Sequence, residues 1–202
     1  QKLFTEGLYG EEQKETEIGL IPKSWEVVRL EDAILRKKIK VGKIKQQKYK
    51  KYGKYPVIDQ SQNHIAGFSD EAEKVYCGPL PVIIFGDHTR IFKFVNFPFI
   101  IGADGVKIII PNTNLFEPLF LYFAFLKLDI PSRGYNRHYP LLKEKKIPLP
   151  PLEEQKQIAH ILSTVDKKIE IEQKRKEVLK DLFKTMLHKL MSGEIRLKEV
   201  EI

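Results

Sequence analysis

Arg, Asn, Gln and His side chains concentrate in three short polar segments in the middle of the chain, residues 59–64, 89–90 and 136–139. Arg, Asn and Gln present the paired hydrogen-bond donors and acceptors that match the edges of base pairs. Each segment alone is also typical of an ordinary polar turn. Together they predict contacts with nucleic-acid bases. The predicted contact residues are Gln60, Ser61, Gln62, Asn63, His64, Arg90, Asn136, Arg137, His138 and Tyr139.

A run of basic residues precedes the first polar segment. Residues 33–58 contain ten Lys and Arg residues and no acidic residue, with Tyr49, Tyr52 and Tyr55 interleaved. Lysines supply salt-dependent affinity for phosphates but little sequence information. A solvated lysine-rich loop that binds nothing is the alternative. The predicted phosphate-contacting residues are Lys45, Lys48, Lys50, Lys51 and Lys143.

The sequence contains no recognisable set of catalytic residues. It lacks both common glycine-rich phosphate loops, and its five histidines lack the spacing of metal ligands. Asp87 and His88 resemble an acid–base pair, but no nucleophile motif accompanies them. Cys77 is the only cysteine, so an internal disulfide is impossible, and we expect this residue to be buried. We predict neither a catalytic residue nor a bound metal.

The positive charge is unevenly distributed along the chain. The formal net charge is +8, and residues 24–151 hold 21 basic and 12 acidic residues, a net of +9. A basic domain of this kind favours a polyanionic partner, although a basic protein without such a partner fits the charge equally well. No secretion signal opens the chain and no apolar run is long enough to span a membrane. We therefore expect a cytoplasmic protein.

Short apolar runs separated by Gly and Pro predict an α+β fold. The expected strands are Tyr55–Ile58, Val82–Phe85, Phe92–Phe97 and Val106–Ile110, and Pro118–Leu128 is a candidate buried helix. An irregular α/β domain is thus expected to precede one long coiled-coil helix.

The long helix is predicted from Glu153 to about Ser192, after a proline-rich extended hinge at Ile147–Pro151. It contains neither Gly nor Pro, and its apolar residues recur at steps of four and three. Such a helix needs a second helix to cover its seam, from this chain or another. Glu172 and Lys176 fall on the same seam. The predicted interface residues are Ile158, Leu162, Val165, Ile169, Leu179, Phe183, Met186 and Leu190.

Four motifs resemble those of the specificity subunits of type I restriction–modification enzymes. Leu149–Ala159 (LPPLEEQKQIA) is similar to the hinge and helix start of that family, and Leu187–Gly193 to the end of its conserved spacer helix. Gly19–Leu30 and Gly134–Tyr139 resemble the opening and closing motifs of its target-recognition domain. Residues 31–130 match only loosely, as expected where each member reads a different target.

The resemblance implies a non-catalytic protein that recognises one half of a split double-stranded DNA target. A full subunit would carry two recognition domains and two spacer helices, and the helices would pair antiparallel and hold the domains apart. The helix that pairs with the one in this chain would belong to the same or to another chain. Modification (methyltransferase) subunits would bring S-adenosylmethionine, and a restriction subunit would bring ATP and Mg²⁺. None of these cofactors is expected on this chain.

The resulting organisation has four parts. Residues 1–23 are expected to be the tail of a preceding spacer helix with a connector, and residues 24–151 the target-recognition domain. Residues 152–192 form the spacer helix, and 193–202 a C-terminal tail. The opening residues Gln1–Gly7 resemble the end of the long helix, which suggests the second half of a duplicated protein. A half-length subunit that forms homodimers fits nearly as well.

Two other functions remain open from the sequence. An adaptor would use the helix to dock partner proteins, and its basic domain would bind RNA or nothing. It would not require Asn and Arg side chains to converge on one surface. A nuclease is the second alternative, and the lack of an acidic metal-binding set argues against it.

Overall fold

The computed structural model describes residues 2–37, 39, 41–102, 105–132, 134 and 136–195. The chain forms two compact units, which meet in sequence between Ala159 and His160. The first two turns of the long helix therefore belong to the first unit. The hinge predicted from the proline-rich segment lies inside that unit, and its first three residues belong to a short strand.

The first unit contains most of the regular structure. Its strands are β1 (Gln13–Thr16), β2 (Gly19–Pro22), β3 (Glu26–Arg29), β4 (Lys43–Ile44), β5 (Tyr55–Ile58), β6 (Gly67–Ser69), β7 (Val82–Gly86), β8 (Phe92–Val95), β9 (Ile100–Gly102), β10 (Val106–Ile109) and β11 (Lys146–Leu149). Its helices are α1 (Pro118–Leu126), α2 (Tyr139–Lys143) and the start of α3 (Leu152–Met191).

Two sheets form the centre of this unit. One is antiparallel in the order β10–β7–β8, and the other is mixed in the order β4–β9–β5–β6, with β9 parallel to both β4 and β5. Every residue of β7 is buried, as its continuous apolar run predicts. Ile58, Ile84, Val95 and Phe99 belong to one core cluster, so the two sheets share a core.

Helix α1 covers the antiparallel sheet through aromatic contacts. The ring centroids of Phe92 and Phe125 lie 5.5 Å apart, and those of Phe94 and Tyr122 lie 5.7 Å apart. The side chain of Glu117 caps the helix by accepting a hydrogen bond from the Phe120 N–H. The helix predicted for this segment is confirmed, two residues shorter than expected.

The acidic segment that precedes the core is a β-hairpin, where the sequence predicts only a polar connector. Strands β1 and β2 pair with Thr16 opposite Gly19, so the turn contains two residues. Gly19 has a φ of +99°, which an L side chain rarely adopts. The hairpin was missed because its outer strand, QKET, is polar at every position.

The start of α3 is fixed by a buried carboxylate. Glu154 is 3 % exposed. It accepts hydrogen bonds from the backbone N–H of Leu8 and the indole Nε1–H of Trp25, both at 2.8 Å. It therefore joins the N-terminal segment, the residue before β3 and the long helix at one point.

Gln155 makes a second set of buried contacts beside Glu154. Its Nε2 donates to the carbonyls of Leu115 (2.9 Å) and Pro150 (2.8 Å), and its Oε1 accepts from the Glu117 N–H (2.9 Å). The two adjacent polar residues of the LEEQ motif thus connect the helix to four separate segments. Their burial gives the motif a structural role.

The predicted apolar seam of α3 divides between the two units. Ile158 is completely buried in the first unit, so the prediction that it contacts a partner helix is wrong. Leu162 and Leu190 are half-buried. The other predicted positions are between 43 % and 68 % exposed, and they are Val165, Ile169, Leu179, Phe183 and Met186. Within the described part of the chain, no helix is long and apolar enough to cross a membrane.

Cys77 is exposed, not buried as expected. It lies in the loop between β6 and β7, just before Gly78, and its thiol donates to the carbonyl of Val75 at 3.2 Å. The neighbouring Tyr76 turns into the core instead and is 4 % exposed.

Candidate nucleic-acid interface

The hairpin turn between β7 and β8 brings three loops together at Asp87. Asp87 is 2 % exposed. Its backbone N–H donates to the carbonyl of Gly105, in the β9–β10 loop, at 2.7 Å. Its carbonyl accepts from the His138 N–H at 2.9 Å, and its Oδ1 accepts from the Tyr139 N–H at 2.8 Å. The turn therefore holds both the β9–β10 loop and the segment that leads into α2.

The loop between β5 and β6 also joins this turn, through Gln60. Its Oε1 accepts from the backbone N–H of His88 (3.3 Å), and its carbonyl accepts from the Thr89 hydroxyl (2.7 Å). Two glycines permit the close approach. A Cβ atom on Gly86 would lie 2.2 Å from the Thr89 Oγ1, and one on Gly105 would lie 2.8 Å from the Gln60 Oε1.

These contacts bring together all three polar segments that the sequence singled out. We call their exposed side chains, apart from Arg90, the loop surface. It consists of Gln62, Asn63, His64, Thr89, Asn136 and Arg137. An arrangement of amide, guanidinium, imidazole and hydroxyl groups on adjoining loops can donate to and accept from base edges.

His138 does not belong to this surface. It is completely buried, and its Nδ1 lies 2.9 Å from the carbonyl oxygen of Asp87. The prediction that His138 contacts a base is therefore wrong for this structure. Its side chain instead fixes the segment that carries Asn136 and Arg137.

Arg90 and Gln60 are partly committed to the protein itself. Arg90 adopts a φ of +62°, a conformation that is uncommon outside glycine and typical of tight hairpin turns. Its Nη1 donates to the carbonyl of Ile130 at 2.8 Å. Gln60 and Ser61 are half-buried, so among the predicted base contacts these three residues expose less free hydrogen-bonding capacity than the loop surface.

Tyr139 lies between two cationic side chains. The Nζ atoms of Lys107 and Lys143 are 5.7 Å and 5.1 Å from its ring centroid. Burial and the nearby Asp87 carboxylate raise the pKa of its hydroxyl. Lys107 also lies 3.7 Å from the Asp87 Oδ2. Sequence reasoning missed Lys107; the only available signal was a lysine inside the apolar run of β10.

The imidazole of His64 is held against the protein although the residue is exposed. Its ring makes an edge contact with Phe97, with centroids 6.0 Å apart. Burial, and secondarily the charge of Lys93, lowers its pKa. A neutral imidazole presents one donor and one acceptor, which suits contacts with base edges better than with phosphates.

The five lysines predicted to contact phosphates are all exposed: Lys45, Lys48, Lys50, Lys51 and Lys143. Lys50 forms an exposed ion pair with Asp70 at 2.8 Å, so part of its charge is already compensated. It also pairs with Phe68 in an isolated antiparallel bridge. Around Lys50, the lysine-rich segment therefore lies beside β6, the strand that follows the first polar loop.

No group of three or more His, Cys, Asp or Glu side chains that could hold a metal ion occurs among the described residues.

Residues 22–181 match the family model described as the type I restriction modification DNA specificity domain. Over 213 residues the chain is 30 % identical to a protein of Methanocaldococcus jannaschii provisionally named as the type I restriction enzyme MjaX specificity subunit. It is 29 % identical over 240 residues to the MjaVIII specificity subunit of the same organism. These alignments cover 98 % and 99 % of this chain but 50 % and 53 % of the relatives. The chain therefore spans about half the length of the curated relatives it matches.

Two solved structures share the fold. The type I restriction–modification S subunit from M. genitalium superposes with a TM-score of 0.59 at 17 % identity, over 89 % of this chain and 47 % of that one. A chain from a study of complex assembly and conformational transition of the type I R-M system gives a TM-score of 0.52 at 19 % identity, over 84 % and 46 % of the two chains.

Proposed function

The chain belongs to the type I restriction–modification DNA specificity family, and from this membership we propose that its first compact unit recognises one half of a bipartite double-stranded DNA target. The observation that carries the proposal is the meeting of the three polar segments at the β7–β8 turn, where Asp87 binds the third segment and His88 and Thr89 bind the first. An adaptor without a base-reading role would not require these side chains to adjoin.

We further propose a division between residues that read bases and residues that hold the backbone. Gln62, Asn63, His64, Asn136 and Arg137 are the principal readers, because they are exposed on adjoining loops. Gln60, Ser61, Arg90 and Tyr139 support or complete this surface. Lys45, Lys48, Lys50, Lys51 and Lys143 contact phosphates, which gives affinity and a dependence on salt but no sequence information.

The long helix supports a proposal about partners. Its exposed apolar residues recur on a coiled-coil spacing, and forty residues span about 60 Å. We propose that a second spacer helix, from the same or another chain, lies antiparallel against it and sets the distance between two half-sites. Modification and restriction subunits complete the complex in the cytoplasm. Those subunits supply S-adenosylmethionine, ATP and Mg²⁺, and this chain supplies recognition without catalysis.

The test is a selection of the purified chain on randomised DNA duplexes, repeated at two salt concentrations. We expect one short motif of about three to five base pairs, with affinity that falls steeply as salt rises. Salt-sensitive binding without any motif would contradict sequence recognition by this unit alone. No binding to DNA would overturn the proposal and favour the adaptor.

A further inference from the structure

A buried lysine lies beneath the first polar loop. Lys93 is in β8, opposite Ile84 of β7, and is 3 % exposed. An ionised side chain at such a position is costly unless every donor is satisfied. Because its ammonium group is not accessible to a DNA backbone, Lys93 does not contribute to binding as a phosphate contact.

The ammonium group of Lys93 binds both ends of the first polar loop. Its Nζ donates to the carbonyl of Asp59 at 2.7 Å and to the carbonyl of Asn63 at 2.6 Å. The two acceptors lie at the two ends of the segment 59–63, so one cation ties both ends together. The same closed segment carries Gln62 and Asn63, whose side chains are exposed.

The side chain of Asp59 supplies the carboxylate that lies next to the Lys93 ammonium group. Asp59 is 7 % exposed, and its Oδ1 lies 3.7 Å from the Lys93 Nζ and accepts from the Ser61 N–H at 2.9 Å. The Tyr49 hydroxyl lies 3.5 Å from the Asp59 Oδ2, and burial raises the pKa of that hydroxyl to about 12. Burial lowers the pKa of Lys93, and the Asp59 carboxylate acts in the opposite direction.

We infer that Lys93 is a positioning residue for DNA specificity: it holds the segment 59–63 in the conformation that presents Gln62 and Asn63 to base edges. The inference rests on the proposed function. Base reading depends on side chains held to within about half an ångström, whereas phosphate attraction tolerates movement. Loss of the Lys93 ammonium should therefore remove discrimination between sequences and leave general DNA affinity in place.

The test compares Lys93→Met with Lys51→Met, which removes the same charge from an exposed position of the lysine-rich segment. Binding is measured on the selected motif and on an unrelated duplex over a range of salt concentrations. For Lys93→Met we expect the ratio of specific to non-specific affinity to fall at least about tenfold, the loss typical of one misread base pair. The salt dependence should not change. For Lys51→Met we expect an unchanged ratio and a smaller salt dependence.

Lys93→Met leaves Asp59 buried without its cation, which is more disruptive than removing both charges. The double variant Lys93→Met/Asp59→Asn therefore serves as the second test, and thermal unfolding checks that each variant is folded. An unchanged affinity ratio in the folded double variant would overturn the inference. A parallel fall in both affinities with a reduced salt dependence would do so too, because it would make Lys93 a phosphate contact. If the wild-type chain selects no motif, the proposed function itself fails, which is a separate result.

Discussion

At the scale of single residues, exposure separates the polar side chains that we propose read DNA from those that hold the loops in place. His138 and Arg137 are neighbours in sequence, yet one is completely buried and the other is exposed. The difference arises from Asp87, whose carbonyl binds the His138 ring from 51 positions away in the chain. A sequence motif shows which side chains are present. Contacts between residues that are far apart in the chain decide which of those side chains face solvent.

Arg137 is proposed to read bases, and Lys51 is proposed to contact phosphates. Arg137→Ala should relax the preference at one or two base pairs and cost about 1–3 kcal/mol on the preferred sequence only. Lys51→Ala should weaken binding to all sequences alike and reduce the salt dependence by about one phosphate contact. Both effects are measured by titration of each variant with specific and unrelated duplexes. Equal behaviour of the two variants would show that the division between them is wrong.

The second prediction concerns Asp87. Asp87→Ala removes the acceptor of the partly buried Tyr139 N–H, and leaving such a donor unpaired costs about 1–3 kcal/mol. Specific DNA binding should fall with it, because the segment carrying Asn136 loses one of the contacts that hold it, while the backbone carbonyl at position 87 still binds His138. Asp87→Asn is the matched control, since its amide oxygen can still accept from Tyr139. Chemical denaturation measures the stability, and equal losses in the two variants would mean that the carboxylate charge matters more than the hydrogen bond.

At the scale of the elements, the sequence predicts the strands that are rich in apolar and aromatic residues. The strands predicted at Tyr55–Ile58 and Val82–Phe85 are confirmed, those predicted at Phe92–Phe97 and Val106–Ile110 are present but end at Val95 and Ile109, and the helix at Pro118 is confirmed. The polar strand β1 could not be predicted in this way, because nothing in QKET distinguishes it from a connector. The parallel pairing of β9 with β4 and β5 was also out of reach, since it depends on contacts between distant segments.

The junction of α3 with the first unit gives the third prediction. Glu154→Ala would leave the Trp25 indole N–H and the Leu8 N–H without their acceptor, and we expect it to lower the free energy of unfolding by about 2–4 kcal/mol. The neighbouring Glu153 is the control. Its side chain is 71 % exposed and pairs with Lys156, so Glu153→Ala should cost less than about 1 kcal/mol. Similar losses in both variants, measured by urea denaturation, would contradict the role assigned to Glu154.

At the scale of the whole molecule, the exposed seam of α3 predicts association through the helix. Phe183 is 68 % exposed on the seam, and Val178 is 67 % exposed off it. Phe183→Lys should abolish concentration-dependent self-association of the chain in analytical ultracentrifugation. Val178→Lys places the same charge on the same helix and should leave association unchanged. A chain that stays monomeric at all concentrations would contradict self-pairing and leave the partner helix to another chain.

We propose that the three polar segments act as one DNA-reading surface because they meet at the β7–β8 turn. The most direct test is the base preference at every position of the selected motif, measured for the wild type, Asn63→Ala and Arg137→Ala. We predict that each variant relaxes the preference at different positions, and that these positions lie within one contiguous run of base pairs. If both variants keep the full wild-type preference and only bind more weakly, the segments do not read DNA and the claim is contradicted.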